Sequence, residues 1–241
     1  MATHWHQGIV THILDESPTT KRFFLTIENL DSFDFRAGQF VTFDLPIGEK
    51  RLQRWRSYSI ASAPNGINTI ELCIVRLEGG AGTSYFFDEV AVGTALKFKG
   101  PDGNFCLPET IEKDIVMICT GTGIAPFRSM LHDVLGGNLL TSKVHLIFGC
   151  RHAEDILYRT EMEQFAAQYP DFQYDITLSR EDLAGTTHGY VHEIYKIAYA
   201  KKRENVQFYL CGWSKMIDEA VAILLIELGY DRKQIVYELY G

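Results

Sequence analysis

Asp114-Ile115-Val116-Met117-Ile118-Cys119-Thr120-Gly121-Thr122-Gly123-Ile124-Ala125-Pro126 is the stretch that decides how this chain folds. After Asp114, Ile115–Cys119 form a short apolar run, as a strand buried on both faces requires. Two glycines follow at once, and a helical pattern then runs from Pro126 to Leu135. Strand, glycine turn and helix in that order open a parallel α/β unit. The cycle repeats with Lys143–Phe148 and a helix near Arg159–Gln168, then with Tyr174–Leu178 and a helix from about Gly189 to Ala200. Gln207–Cys211, a helix from Ser214 to Leu228 and a closing strand Gln234–Glu238 complete it. A doubly wound parallel sheet is expected over residues 109–241.

Upstream the period is different. Phe23–Ile27, Gln39–Leu45 and Thr69–Val75 are β-branched and aromatic with partial alternation. Breakers separate them at Ala37-Gly38, Pro46-Ile47-Gly48, Pro64-Asn65-Gly66 and Gly100-Pro101-Asp102-Gly103. Residues 1–108 are therefore expected to form a small antiparallel barrel with Greek-key connections, interrupted by one helix around Ser84–Val90. The boundary is placed within Leu107–Lys113.

Composition narrows the function classes. With 46% hydrophobic and 22% charged residues, the 241-residue chain reads as an ordinary globular protein. A formal charge of -8 argues against general nucleic-acid binding. The longest apolar run, Ala220–Ile226, is too short to cross a bilayer. Met1–Gly8 lacks a charged start followed by an apolar core, so a cytoplasmic protein with no membrane partner is expected; a monomer is expected as well. The five cysteines, Cys73, Cys106, Cys119, Cys150 and Cys211, are scattered and never spaced C-x-x-C. Neither a disulfide framework nor a cysteine zinc or iron–sulfur nest is expected. His188 and His192, four apart on an expected helix, have metal-binding spacing but no evident third ligand, and are read as surface or packing residues.

Ligands of doubly wound sheets bind beyond the carboxyl ends of the strands. Gly121-Thr122-Gly123 lies there and lets backbone approach a phosphate, with Pro126 in the first turn of a helix whose free N–H groups attract an anion. The plain alternative is a strand-to-helix turn. Ser179-Arg180 ends the third strand of this half, where a cation and a hydroxyl suit a 2′-phosphate. Glu181 and Asp182 follow, which keeps a free ribose diol in play. Cys211-Gly212-Trp213-Ser214-Lys215-Met216 ends the fourth strand, where Gly212 admits a flat ring and Cys211 would face it; a buried structural cysteine is the alternative. In the first half, Gly79–Ser84 offers a second phosphate cradle, or a loop capped by Thr83 or Ser84. Trp55–Ile60 carries a cation, an aromatic ring and a hydroxyl on Arg56, Tyr58 and Ser59. Two anion cradles suit two phosphate-bearing ligands.

Taken together, these motifs resemble the ferredoxin–NADP reductase family over nearly the whole chain. Arg56-Ser57-Tyr58-Ser59 is similar to its R-x-Y-S flavin motif, and Gly82-Thr83-Ser84 falls at its flavin pyrophosphate position. Gly121–Pro126 is similar to G-T-G-I-A-P, Cys211-Gly212 with Met216 to C-G-x-x-x-M, and Glu238-Leu239-Tyr240 to its E-x-Y ending. The resemblance implies an FAD-binding barrel (1–108) and an NADP(H)-binding α/β domain (109–241), without an iron–sulfur domain. It implies that Arg56 pairs with the diphosphate, Tyr58 packs on the isoalloxazine, Ser59 hydrogen-bonds near N5, and Cys73, Ile74 and Val75 line the flavin with their backbone. It implies that Tyr240 stacks on the other flavin face, Cys211 places the nicotinamide, and Glu238 joins a polar path near N5. Thr120, Gly121, Thr122, Gly123, Pro126, Arg151, Ser179, Arg180, Cys211, Gly212 and Met216 would contact NADP, and Tyr190 would stack on adenine. Two departures stand out: Gly241 follows Tyr240, and Thr186–Tyr190 offers no Lys or Arg for the 2′-phosphate.

The implied activity is hydride transfer between NADPH and FAD, with single electrons exchanged with ferredoxin or flavodoxin. Lys50, Arg51, Arg54 and Arg56 form a basic run suited to steering an acidic carrier. An oxygenase reductase component, a free-flavin or ferric reductase, and a non-catalytic flavin-binding regulatory subunit are the alternatives.

Overall fold

The computed structural model describes residues 4–136 and 142–240. It divides into two units: one comprises the chain up to Leu107 together with Ala125–Asp133, the other Pro108–Ile124 and the chain from Val134 onward.

The first unit contains β1 (Trp5–Ser17), β2 (Thr20–Ile27), β3 (Phe40–Asp44), the single turn α1 (Arg51–Arg54), β4 (Trp55–Ser59), β5 (Thr69–Val75), α2 (Ala81–Asp88) and β6 (Ala95–Asp102). Its six strands are antiparallel in the order β4-β3-β6-β1-β2-β5. The bridge Ile60↔Leu72 joins the two ends of that order and closes the barrel. Val10, Phe23, Leu25, Phe43, Leu72 and Phe98 fill the interior. Phe86 of α2 completes the core, with ring centroids 5.2 Å from Phe23, 5.5 Å from Phe43 and 5.1 Å from Tyr58. Because Gly82 precedes Phe86 by four residues, burying Phe86 turns Gly82 toward β4.

β1 and β6 are absent from the sequence reading, which took Gly100-Pro101 as a breaker. β6 runs through it, because pairing with β3 shifts register between Phe40 and Thr42. A bulge accommodates a proline that has no N–H for the ladder. The expected Ser84–Val90 helix is displaced: α2 begins at Ala81, and Gly80, not Thr83 or Ser84, is its N-cap.

The second unit carries β7 (Asp114–Thr120), a 3₁₀ turn (Gly121–Gly123), α3 (Ile124–Gly136), β8 (Val144–Cys150), α4 (Arg159–Gln168), β9 (Phe172–Leu178), β10 (Thr187–His188), α5 (His192–Ala198), β11 (Val206–Trp213), α6 (Ser214–Ala222) and β12 (Ile235–Tyr240). The middle of α3, as noted, packs with the barrel. All strand pairs are parallel, in the order β10-β9-β8-β7-β11-β12. The winding direction reverses between β7 and β11, which opens a crevice at their carboxyl ends. One side of the sheet is covered by Tyr195, Tyr199, Ile217, Ala220 and Leu224 on Val116, Ile118, Phe208 and Leu210.

Three details correct the sequence reading. The helix expected from Gly189 begins at His192, after the short strand β10. His188 and His192 therefore do not share a helix; His188 pairs with Asp182 at 2.9 Å and His192 with Glu193 at 3.6 Å. The helix from Ser214 changes to a π turn over Ile223–Glu227. Among the described residues, no helix is long and apolar enough to cross a membrane.

Candidate functional site

In the barrel, β4 and β5 pair only at their meeting point. Ile60 bridges Leu72, and Ala61 N–H donates to Glu71 C=O at 2.8 Å. The ladder does not continue to Ser59 and Cys73 or to Tyr58 and Ile74. The two strands part there and leave a cleft walled by Arg56–Ser59 on one side and Cys73–Val75 on the other. Ser59 and Cys73 are each 5% exposed, so both lie at the closed end.

α2 caps this cleft. A Cβ on Gly82 would stand 2.8 Å from Arg56 Cγ and 3.2 Å from Tyr58 Oη, so only glycine lets the helix start so near β4. Ser84 N–H is bonded back to Gly80 C=O at 2.9 Å. The N–H groups of Ala81, Gly82 and Thr83 open the helix without an intrahelical partner. The Thr83 hydroxyl is engaged: it accepts from Leu77 N–H and donates to Gly80 C=O, both at 3.1 Å. Thr83 thus contributes its N–H while its side chain holds the turn. Arg56 Nη1 donates to Trp55 C=O at 2.7 Å and to Leu52 C=O at 3.2 Å, with the arginine stem against Gly82. Burial raises the Tyr58 phenol well above its ordinary range, against the pull of Arg56, so it stays neutral.

At the crevice of the second unit, β7 and β11 meet so closely that side chains are excluded. A Cβ on Gly123 would collide with the Cys211 carbonyl, and one on Gly212 (φ +146°) would lie 2.6 Å from Thr120 Oγ1 and 3.1 Å from Met216 Cε. Thr120 Oγ1 is buried and, among the described residues, has no hydrogen-bond partner. Cys211 is fully buried and stands opposite Cys119 and Glu238 in the ladder. Burial and the neighbouring Glu238 push its thiol well above the ordinary cysteine range, while a hydrogen bond from Tyr240 acts the other way. The thiol is therefore held protonated and is packed as a neutral group, not a nucleophile. Thr120, Gly121, Thr122, Gly123, Cys211, Gly212, Met216, Glu238 and Tyr240 are thus gathered at one end of the sheet. Pro126 is buried and serves the first turns of α3.

A second group lies at the ends of β8 and β9. Arg180 N–H donates to Arg151 C=O at 3.0 Å, and Ser179 N–H to Cys150 C=O at 3.0 Å. Both arginine side chains are exposed. The acids that follow are occupied: Glu181 accepts from Ala153 N–H at 2.7 Å, and Asp182 pairs with His188. The sequence reading missed Gly149. It stands between Thr120 and Thr177 across three strands, and a Cβ there would lie 2.7 Å from Val191 Cγ1 and 3.1 Å from Thr177 Oγ1. The signal was available in Phe148-Gly149-Cys150, a glycine at a strand's carboxyl end like Gly212.

These features fit the two cofactors. The barrel offers a cleft with a cation, a neutral phenol and a helix start that a Cβ would obstruct. The sheet offers a glycine-lined crevice with an orphaned hydroxyl.

Comparison with known proteins finds a family for each half of the chain. The family described as "Oxidoreductase FAD-binding domain" matches residues 7–106, and "Oxidoreductase NAD-binding domain" matches residues 117–222. Ferredoxin–NADP reductase B of Sorangium cellulosum is 34% identical over 224 residues, covering 90% of each chain. The phenol hydroxylase P5 protein of Acinetobacter pittii is 31% identical over 232 residues, 94% of this chain but 63% of that longer one. The crystal structure of the Amycolatopsis cytochrome P450 reductase GcoB superposes with a TM-score of 0.88 at 25% identity, over 98% of this chain and 69% of that one. Two domains matched in order and one relative aligned almost end to end settle the assignment: the chain belongs to the ferredoxin–NADP reductase family of flavin-dependent oxidoreductases, with FAD and a nicotinamide dinucleotide as its cofactors.

Proposed function

We propose that the protein takes hydride from NADPH in preference to NADH and passes electrons singly to a separate acidic carrier protein of the ferredoxin or flavodoxin type, as a cytoplasmic monomer. The bound flavin supplies the change from two-electron to one-electron chemistry. This chain's residues supply position. Arg56 and the N–H groups of Ala81–Thr83 hold the diphosphate, Tyr58 and Ser59 hold the ring, and Cys73–Val75 line the cleft. Thr120, Gly123, Gly212 and Met216 shape the nicotinamide crevice beside Cys211, Glu238 and Tyr240. Such placement carries much of the rate of a hydride step, which needs its reacting atoms near van der Waals contact.

The preference for NADPH rests on Arg151 and Arg180. Both are exposed and, among the described residues, neither makes an ion pair, whereas Glu181 accepts from Ala153 N–H and Asp182 pairs with His188. Charge-assisted bonds to a phosphate are each worth about 1.5–3 kcal/mol, so Arg180→Ala is expected to cost roughly 10–100-fold in kcat/KM for NADPH and little for NADH. Anaerobic titration and steady-state kinetics with both nucleotides check this. Equal or better flavin reduction of the wild type by NADH defeats the reading.

The carrier is argued from the outer face of the barrel. Arg54 is removed from the expected basic run, because Asp44 holds it in a fork at 2.7 and 2.8 Å. Lys50 and Arg51 remain, and Lys97 joins them. The Arg51 guanidinium lies 4.9 Å from the Trp55 ring and Lys97 Nζ 4.8 Å from Trp5, with the two indoles 5.4 Å apart and Leu52 83% exposed between strands. A cationic, aromatic face on a chain of charge -8 suits an acidic partner. Reduction of such a carrier is expected to slow at least tenfold between about 50 and 300 mM salt while ferricyanide reduction holds steady. A flat salt response would exclude electrostatic docking and favour a free-flavin or ferric acceptor.

A further inference from the structure

Where β4 and β5 part, the barrel buries charge that the cofactor contacts above do not use. Glu71, 3% exposed, lies on β5 two residues before Cys73. Its carboxylate accepts a fork from Arg22, Nε at 2.6 Å and Nη2 at 3.2 Å, and a further bond from Arg128 Nη1 at 2.9 Å. The same Nη1 donates to Ala61 C=O at 2.7 Å. Ala61 follows Ser59 by two residues, and its N–H is bonded to Glu71 C=O. Glu71 N–H in turn donates to Ser62 Oγ at 3.1 Å. The Arg128 side chain is 9% exposed and belongs to the part of α3 that packs with the barrel.

Arg128 therefore grips β5 and the segment that follows β4, one residue from the bridge where they touch. Arg22, by contrast, reaches Glu71 from β2, on the side of β5 away from the cleft, and extends outward to Glu16 at 3.4 Å. The two arginines neutralise one carboxylate, and Arg128 also holds the chain that leads into Ser59. A buried ion pair is a weak source of stability and costs several kcal/mol to desolvate, so its presence at this point calls for another role.

We propose that Arg128 is a positioning residue for the flavin: with Glu71 it fixes the angle at which β4 and β5 diverge, and so the spacing between Ser59 and the Cys73–Val75 backbone that together hold the ring. This rests on the flavin site proposed above. The residue carrying it sits five positions after Gly123, in a helix whose sequence otherwise belongs to the nucleotide motif.

The test compares Arg128→Met with Arg22→Met in the full chain. Each leaves Glu71 one arginine, so thermal unfolding should fall by a similar amount in both. In Arg128→Met the dissociation constant of FAD for deflavinated protein should rise about tenfold, in line with a lost charge-assisted bond. The visible circular dichroism of bound flavin should change, and the limiting rate of its reduction by NADPH should fall at least about tenfold with half-saturation within about twofold. Arg22→Met should keep wild-type dichroism and rate. Wild-type FAD affinity and dichroism in Arg128→Met, or the same changes in Arg22→Met, would overturn the proposal. Should Arg128→Met not accumulate, Arg128→Lys decides, because the lysine stem is one atom shorter and its ammonium falls short of the point where Nη1 meets both Glu71 and Ala61; a wild-type spectrum and affinity there also overturn it. If wild-type flavin is not reduced by NADPH, the functional reading fails, while FAD affinity and dichroism still judge this one.

Discussion

Replacing Gly123 by alanine is expected to cut the limiting rate of flavin reduction by NADPH about a hundredfold while leaving FAD bound. The added methyl would be driven into the Cys211 carbonyl and against Gly212 Cα. Those atoms are backbone of β11, tied into the ladder between β7 and β12, and cannot rotate away as a side-chain tip would. The turn must move instead, and in the proposed site it carries the N–H groups that meet the nucleotide. A displacement of about 1 Å at a hydride-transfer site is enough for a loss of this size. Gly121→Ala is the control. Its Cβ would meet nothing within 4 Å, and the cost is only that of a left-handed residue at φ +52°, about 1–2 kcal/mol. It should lose less than about tenfold. Stopped-flow reduction under anaerobic conditions, with FAD content from the visible spectrum, separates the two. A Gly123→Ala protein within twofold of wild type would show that the crevice between β7 and β11 is not where nicotinamide is received.

The contrast between these two glycines also shows how far the sequence can be read. Strand, glycines and helix at Asp114–Leu135 are a local pattern, and local patterns survive without coordinates. So do Cys211-Gly212 at a strand end and Arg56, Tyr58 and Ser59 along one strand. Which glycine is sterically obligatory depends on a strand nearly ninety residues away, and no spacing rule reports it. The same holds for Glu71 and Arg128, fifty-seven positions apart and joined only by folding. β6 was lost for a different reason: Gly100-Pro101 is a strong turn signal, and only a bulged pairing with β3 overrides it. Glu181 shows what only folding reports: beside Arg180 in sequence, its carboxylate also accepts from the Ala153 N–H across a neighbouring loop.

Gly82→Val should release FAD more completely than removing the cation it packs against. In the proposed site Arg56→Ala forfeits charge-assisted bonds to the diphosphate, so FAD affinity should fall about 10–100-fold. Valine at position 82 does more, because its branched Cβ claims the space of the Arg56 stem at 2.8 and 3.2 Å and of the Tyr58 hydroxyl at 3.2 Å. The contact falls on the middle of the arginine side chain, so the guanidinium cannot yield alone. Either Arg56 and Tyr58 are both turned out of the cleft, or the start of α2 retreats with its N–H groups. Retreat is opposed by Phe86, wedged among Phe23, Phe43 and Tyr58 one turn later. Because both substitutions act on one cradle, their effects should not add, and the double variant should bind FAD about as weakly as Gly82→Val alone. Gly79→Ala, in the same loop but with no atom within 4 Å of its Cβ, should hold FAD to within roughly tenfold at some cost in stability from its φ of +71°. Fluorescence titration of the deflavinated proteins gives all four constants. Full FAD affinity in Gly82→Val would place the diphosphate away from the start of α2, and additive losses in the double variant would mean that Gly82 and Arg56 serve different parts of the ligand.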